Sequence, residues 1–570
     1  MNLKGEVIME ITHKKKLGKK VASAILGALM VVSIPMVAGA KDIDIPTEPT
    51  TGWYHSSDTV KQATGIPDSI AKTIDGSDVL SFIDINSNMI SVKTEAQLKS
   101  ALAKSGNKKI RLLANITPRN KLSVKGKNII YLNGYKLNSL AKVKGNAKKL
   151  NFCSDVEKEN DFTKALAYNN GNYPHRVIIR KAVTLANKKY KVNNAKTSIY
   201  LNNHNLSIKE GGQIYINDNS VEIVGGSRTT FKSVGNTSNG NRSLIEVAPN
   251  KNNIHLRNFN VVASDFYDNA IKFGSKDNSL TLLNMDITSN KSGSTAVNLC
   301  GTSGNAVSNV KVTSVNIISK GYGLKGNYVS KLMINATNGT SKKYSTQKNS
   351  INFTNSSYIK LATSSAKSYV CTSSANDNGV YFSNVQKSTI QNITTSAKDN
   401  GLVINSSSDI YIPRMFASID KTDDSTVSVN NSNTITFIGD SASNTMSLKK
   451  IACSSSKHIA FNNVDTDNCT FTGTSSNLKF NNVAFKNISI NGTTSSRINQ
   501  FFFCGTTKFT NGFNFTNVTK FESSRDVKLT GGTGKVTNGS YFTLTNMMNT
   551  VKSKFVLSNC SKYTPTTLLR

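Results

Sequence analysis

Three carboxylates and an arginine are the residues in this chain best placed to do chemistry. Asp265 and Asp268 share the segment Ser-Asp-Phe-Tyr-Asp-Asn, Arg257 precedes them and Asp286 follows. Clustered carboxylate oxygens suit calcium, a hard cation that takes several oxygen ligands. An arginine close to such a set is a candidate base. A second group, Asp420 with Asp423 and Asp424, sits in Asp-Lys-Thr-Asp-Asp-Ser. Paired carboxylates can divide acid and base work across a glycosidic bond. The plainer alternative for both groups is the ordinary polarity of a solvated loop. Other chemistries lack their residues. The six histidines form no H-x-x-x-H or H-E-x-x-H pattern, so no zinc site is expected. There is no G-x-S-x-G elbow and no phosphate-binding G-x-x-x-x-G-K-[ST] loop. Gly321-Tyr322-Gly323-Leu324-Lys325-Gly326 has no helix pattern after it and reads as a tight turn. No metal or cofactor is expected, and calcium enters only with the lyase reading.

Any such residues must be held by a fold with a strong signature. Beyond residue 250 a motif recurs: apolar, any, apolar, any, Asn. It reads Ile254-His255-Leu256-Arg257-Asn258, then Leu280-Thr281-Leu282-Leu283-Asn284, Ile351-Asn352-Phe353-Thr354-Asn355 and Val380-Tyr381-Phe382-Ser383-Asn384. It returns at Ile459–Asn463, Leu478–Asn482, Phe513–Asn517 and Phe555–Asn559. A spacing of roughly 20–30 residues is typical of stacked repeat architectures. A short strand with two inward apolar residues cannot bury them alone, but stacked on like neighbours it shares a continuous core. Asn tolerates left-handed backbone at a turn, and stacked amides can bond from coil to coil. Between residues 175 and 564 only Pro249 and Pro413 occur, as a long ladder that needs every N–H donor requires. A β-sandwich or propeller ranks second, for want of a regular hairpin turn or blade signature.

At the start of this region, Thr94-Glu95-Ala96-Gln97 is a capping box. Leu98, Ala101 and Leu102 then share one face of a short helix over about 95–104, and Gly106 is a plausible stop. Ile110–Ala114 follows as a strand, and Ile130–Leu137 alternates apolar and polar around an Asn-Gly turn. The order of capping box, helix, Ile-Arg-Leu strand and Ile130-Tyr-Leu-Asn-Gly-Tyr-Lys-Leu resembles the opening of secreted right-handed parallel β-helix proteins. This is the pectate-lyase-like superfamily pattern rather than one enzyme family. The resemblance implies an all-β right-handed parallel β-helix with a short N-terminal capping helix. It implies fold more than activity. A polygalacturonase-like enzyme would add Gly-His-Gly and Arg-Ile-Lys elements. Here the next histidine after Asp424 is His458, and Arg497-Ile498-Asn499 only approaches the last element.

Composition agrees with this architecture. The 570 residues are 37% hydrophobic and 18% charged, with 9 Pro and an abundance of Asn, Ser and Thr. The polar types compete with helical hydrogen bonds, which argues against a helical bundle. The seven cysteines show no C-x-x-C and read as small apolar core side chains. A cationic start, an apolar run from Val21 to Val37 and Ala38-Gly39-Ala40 read as a cleaved signal peptide over 1–40. The expected organisation is then a spacer of low regularity at 41–90, an N-terminal cap and first coils at 91–250, and remaining coils at 251–570. No other apolar run is long enough to cross a membrane.

Net charge is +36, and +32 once residues 1–40, with six Lys and two Glu, are removed. A chain so basic favours partners of opposite sign. Nucleic acid fits poorly with export and with the missing aromatic RNA motifs. An anionic polysaccharide or cell-surface polymer fits better. The expected function is extracellular adhesion or recognition through a basic face. The alternative is a polysaccharide lyase or glycoside hydrolase acting on acidic glycan.

Overall fold

A computed structural model describes residues 89–569, except for short stretches of which the longest are 145–149, 336–341, 362–368, 420–426 and 493–498. The expected signal peptide at 1–40 and nearly all of the expected spacer at 41–90 therefore lie outside the described residues. So does the Asp420, Asp423 and Asp424 group.

Every inter-strand pairing among the named strands is parallel, and 45 of the strands join in one continuous ladder. The chain coils, and each coil lays short strands against its predecessor on three faces. On the first face the column runs through Ile254, Leu280, Val310, Leu332 and Ile359, in register. The second face stacks Val261 on Ile287 and Ile317. The third stacks Ile214, Ile245, Ile271, Val297 and Leu324. This is the parallel β-helix expected from the sequence, and a right hand is near-universal for such parallel crossovers. Inward residues form an N-terminal cluster in the first coils and a separate, long apolar core from Val156 onwards. Towards the C-terminus it becomes phenylalanine-lined: Phe437, Phe461 and Phe480 stack nearly parallel with centroids 4.9 and 5.5 Å apart.

The recurring Asn does what its chemistry allows. Asn258, Asn284, Asn355, Asn384, Asn463, Asn482 and Asn517 all adopt left-handed backbone, with φ between 49° and 60°. The side chains then bond along the axis: Asn284 Nδ2 donates to Asn258 Oδ1 at 3.0 Å, Asn384 to Asn355 at 2.8 Å, and Asn482 to Asn463 at 3.2 Å. Inside the corner that follows runs a column of buried serines that the sequence motif did not announce. Ser407, Ser432, Ser456 and Ser475 each accept an N–H from the coil before, at 3.0–3.2 Å. Each hydroxyl also donates to a carbonyl two or three residues upstream in its own coil. The corner amides and the hydroxyls are thus satisfied together without water.

The capping helix, α1, spans Glu95–Ala103. The Thr94 hydroxyl accepts the Gln97 N–H while the Gln97 side chain accepts the Thr94 N–H. Leu98, Ala101 and Leu102 close the end of the core against Ile110, Leu112, Ile130 and Leu132. Glu95 accepts two N–H bonds, from Arg119 and Asn120, which hold its carboxyl below its ordinary range and tie the helix to the next loop. A second helix, α2 (Glu159–Ala167), buries Phe162, Ala165 and Leu166. It went unforeseen, although those three residues stand at helical spacing.

One expectation is corrected. Residues 321–326 are not a tight turn; Tyr322–Asn327 is a strand of the third face. Its glycines answer close approach between coils. A Cβ on Gly321 would lie 2.0 Å from the Ser294 carbonyl oxygen, and one on Gly323 2.3 Å from that of Ser350.

Two substitutions test the stack by thermal denaturation. Leu282, fully buried, changed to Asp should cost about 3 kcal/mol or more, because a charge enters an apolar core with no partner. Asn284→Val should cost about 2–3 kcal/mol by combining left-handed strain with loss of the amide bond. Asn284→Gly should cost less, since it keeps the backbone geometry and loses only the bond.

Candidate functional site

The coil assigns each predicted site residue to a face. Arg257 stands on the first face, where it is buried and ion-paired with Glu222 of the preceding coil. Asp286 lies on the second face, exposed, accepting a hydrogen bond from Asn316 at 2.6 Å. Asp265 and Asp268 occupy the turn between the second and third faces; both are exposed, and Asp268 pairs with Lys291. The four residues therefore do not converge on one point. Among the described residues, no three His, Cys, Asp or Glu side chains gather as a metal would need.

The outer side of the first face is unusual for its buried charge. Arg176, Glu222 and Arg257 alternate there with a small apolar cluster of Tyr131, Cys153, Ile178, Tyr200 and Val224. Arg176 donates to Asn151 Oδ1 at 2.8 Å. On the inner side of the same face lies His175, fully buried, 2.9 Å from Ser154 Oγ and edge-on to Tyr168. Burial pushes its pKa down to about 3. The described cysteines are free thiols, and burial raises those of Cys153, Cys371, Cys453 and Cys469. Cys371, Cys453 and Cys469 are core side chains, as expected from the sequence, while Cys153 belongs to the outer apolar cluster and Cys300 is half-buried.

The third face carries the clearest surface chemistry. Its outward column reads Lys191, Tyr215, Glu246, Lys272, Asn298, Lys325, Asn352 and Tyr381 in register. Only Glu246 is acidic, and it takes Lys272 at 3.2 Å. Lysines lie over the tyrosine rings: Lys189 is 4.3 Å from the Tyr215 centroid, and Lys325 and Lys348 are 4.7 and 5.2 Å from that of Tyr322. Coils repeat at about 4.8 Å, so Lys272 and Lys325, two coils apart, are separated by roughly 10 Å along the axis. The result is a straight stripe of ammonium groups and aromatic faces. The charge is legible in the sequence, but its assignment to a face needs the register.

Residues 89–245 match the family model described as a putative pectate lyase-like adhesive domain. The adhesive-domain match begins at the first strand, includes both helices and ends on the third face, and the same coil architecture continues far beyond it. Solved structures with which the chain aligns include DFA-IIIase from Arthrobacter chlorophenolicus A6 in complex with GF2, at 12% identity over 71% of this chain and 88% of that one, with a TM-score of 0.28. PfbA, a surface adhesin of Streptococcus pneumoniae, aligns at 12% identity over 70% and 85%, with a TM-score of 0.28. The A-module of the mannuronan C-5 epimerase AlgE4 from Azotobacter vinelandii aligns at 9% identity over 73% and 96%, with a TM-score of 0.26. At these TM-scores the likenesses carry no weight for activity. No curated protein sequence matches the chain.

His175 generates a pH prediction. Its folded pKa is depressed from 6.5, so the unfolded chain binds the extra proton as pH falls. Stability should be full above about pH 6.5 and decline towards about pH 3, by a few kcal/mol for this group. His175→Phe should be less stable at pH 7.5, because Ser154 loses its partner, but flatter across that window in melting experiments.

Proposed function

We propose that this protein is a secreted adhesin-like β-helix that holds an anionic polysaccharide or cell-surface polymer along its third face without cutting it. The observation that carries this reading is the lysine–tyrosine stripe, in which cations recur along one straight face with a single acidic neighbour. A polymer with repeating negative charge can meet such a stripe at many points, each weak alone. Tyrosine rings add apolar platforms for sugar faces. The adhesive-domain match supports a binding role, and the net +32 of residues 41–570 supports an anionic partner. The placement of Arg257 on the first face, Asp286 on the second and Asp265 with Asp268 in the turn beyond it favours holding over cleavage.

Exposed charge contacts are screened over about 8 Å at physiological salt. Retention of the protein on an immobilised acidic glycan should therefore fall steeply as salt rises, and a neutral glycan should not compete. The triple variant Lys272→Gln, Lys325→Gln, Lys348→Gln should elute at much lower salt with a melting temperature within a few degrees of the parent protein. Retention that ignores salt or the triple change would overturn the reading. New unsaturated or reducing ends would favour the lyase or hydrolase alternative, with Arg257, Asp265, Asp268 and Asp286 the first residues to replace, then Asp420, Asp423 and Asp424.

Export has its own test. The cationic, apolar, Ala-Gly-Ala order of the leader supports cleavage after Ala40, so N-terminal sequencing of exported protein should begin at Lys41. A mature product that retains Val21–Val37 would overturn that assignment.

A further inference from the structure

A cleft of about 370 Å³ opens between the Asn133-Gly134 turn and α2, and none of the third-face column residues line it. We infer that it is a separate binding site for a neutral sugar ring of a glycan. Its size lies within the range of small-molecule sites, roughly 300–1,000 Å³. Leu132 and the buried Ser154 line it together with residues of the turn and of the helix. The turn is rigid: Asn133 and Gly134 both take left-handed backbone, and Tyr135 N–H closes it on the Leu132 carbonyl at 2.8 Å. That geometry presents Tyr135 at the rim. Among the described residues, Tyr135 and Ile318 are the large hydrophobic side chains left exposed, Tyr135 at 39%. An exposed ring beside a polar cleft is the platform on which the apolar face of a sugar stacks.

The polar groups around it point to a neutral ligand. Asp155, Glu157 and Asp161 line the cleft with Lys136 and Lys164, three carboxylates against two ammonium groups. Arg180 and Lys181 pair with two of these carboxylates, so charges of both signs are interspersed around the cleft and a polyanion finds no one-signed surface here, in contrast to the third face. Two of the carboxylates are fixed from outside by ion pairs, Asp155 to Arg180 at 2.5 Å and Glu157 to Lys181 at 2.8 Å. They are held in place as acceptors and need no counter-ion from a ligand. Asp161, on the first turn of α2, takes the Glu157 N–H at 3.3 Å. Sugar hydroxyls both donate and accept, so they can serve the carboxylates and the lysines at once. Asn115 is already committed, accepting the Lys136 N–H at 2.8 Å, which fixes the lysine's backbone beside Tyr135.

The test uses the full-length protein and three neutral trisaccharides, cellotriose, chitotriose and maltotriose, in saturation-transfer NMR and titration. At least one should bind, and high salt should leave its affinity within about twofold. Tyr135→Ala and Asp161→Asn should each weaken it tenfold or more. Both residues are at least partly exposed, and an unchanged melting temperature will show that the variants fold. Both variants should leave retention on an acidic glycan unchanged, which separates this site from the third face. No binding by any of the three sugars, or binding that ignores both substitutions, would overturn the inference. Loss of acidic-glycan retention in the two variants would also overturn it, by showing one shared site rather than two.

Discussion

Everything in this molecule depends on the in-register parallel ladder between successive coils. A single coil buries nothing by itself. It acquires a core only when its Ile, Leu, Val and Phe residues meet the same positions one coil above and one below. Because side chains alternate along a strand, a slip of one residue in register would turn every apolar pair outwards. The turn asparagines and corner serines guard against this. Each sits at a fixed distance from the apolar pair and makes a bond that exists only when the coils are aligned. Polarity here is therefore part of what specifies the core.

The same register creates the basic stripe. A lysine on one coil has no special meaning until the ladder stacks it over others. The third face becomes a stripe because Lys191, Lys272 and Lys325 share one outward column, while the acidic Asp268 and Asp286 fall elsewhere. The cleft beside Tyr135 has a different origin. It exists because α2 interrupts the coil between Val156 and His175 and stands off from the Asn-Gly turn. Regular repeats make long surfaces, and interruptions make pockets.

Much of this was legible in the residues. The apolar-x-apolar-x-Asn motif disclosed the coil, since only a turn and a stacked strand explain both halves of it. Thr94 and Gln97 disclosed the capping helix through local chemistry alone. What stayed hidden needed neighbours distant in sequence. The Gly321 and Gly323 segment resembled a turn because glycine signals freedom, whereas here it answers a backbone 27 residues away pressing in from the adjacent coil. Arg257 read as a candidate base because its partner, Glu222, lies 35 residues upstream. The corner serines were invisible among so many others, as no local spacing distinguishes a buried hydroxyl from a solvated one.

The serine column also has a direction. In every link from Val385 to Ser475 the earlier coil gives the N–H and the later coil brings the oxygen. A ribosome delivers the chain in that same order. Each finished coil thus presents a waiting donor at its corner, and the next segment to emerge carries the acceptor that fits it. Growth from the helix-capped end can proceed one coil at a time, with the template always made before the part that reads it.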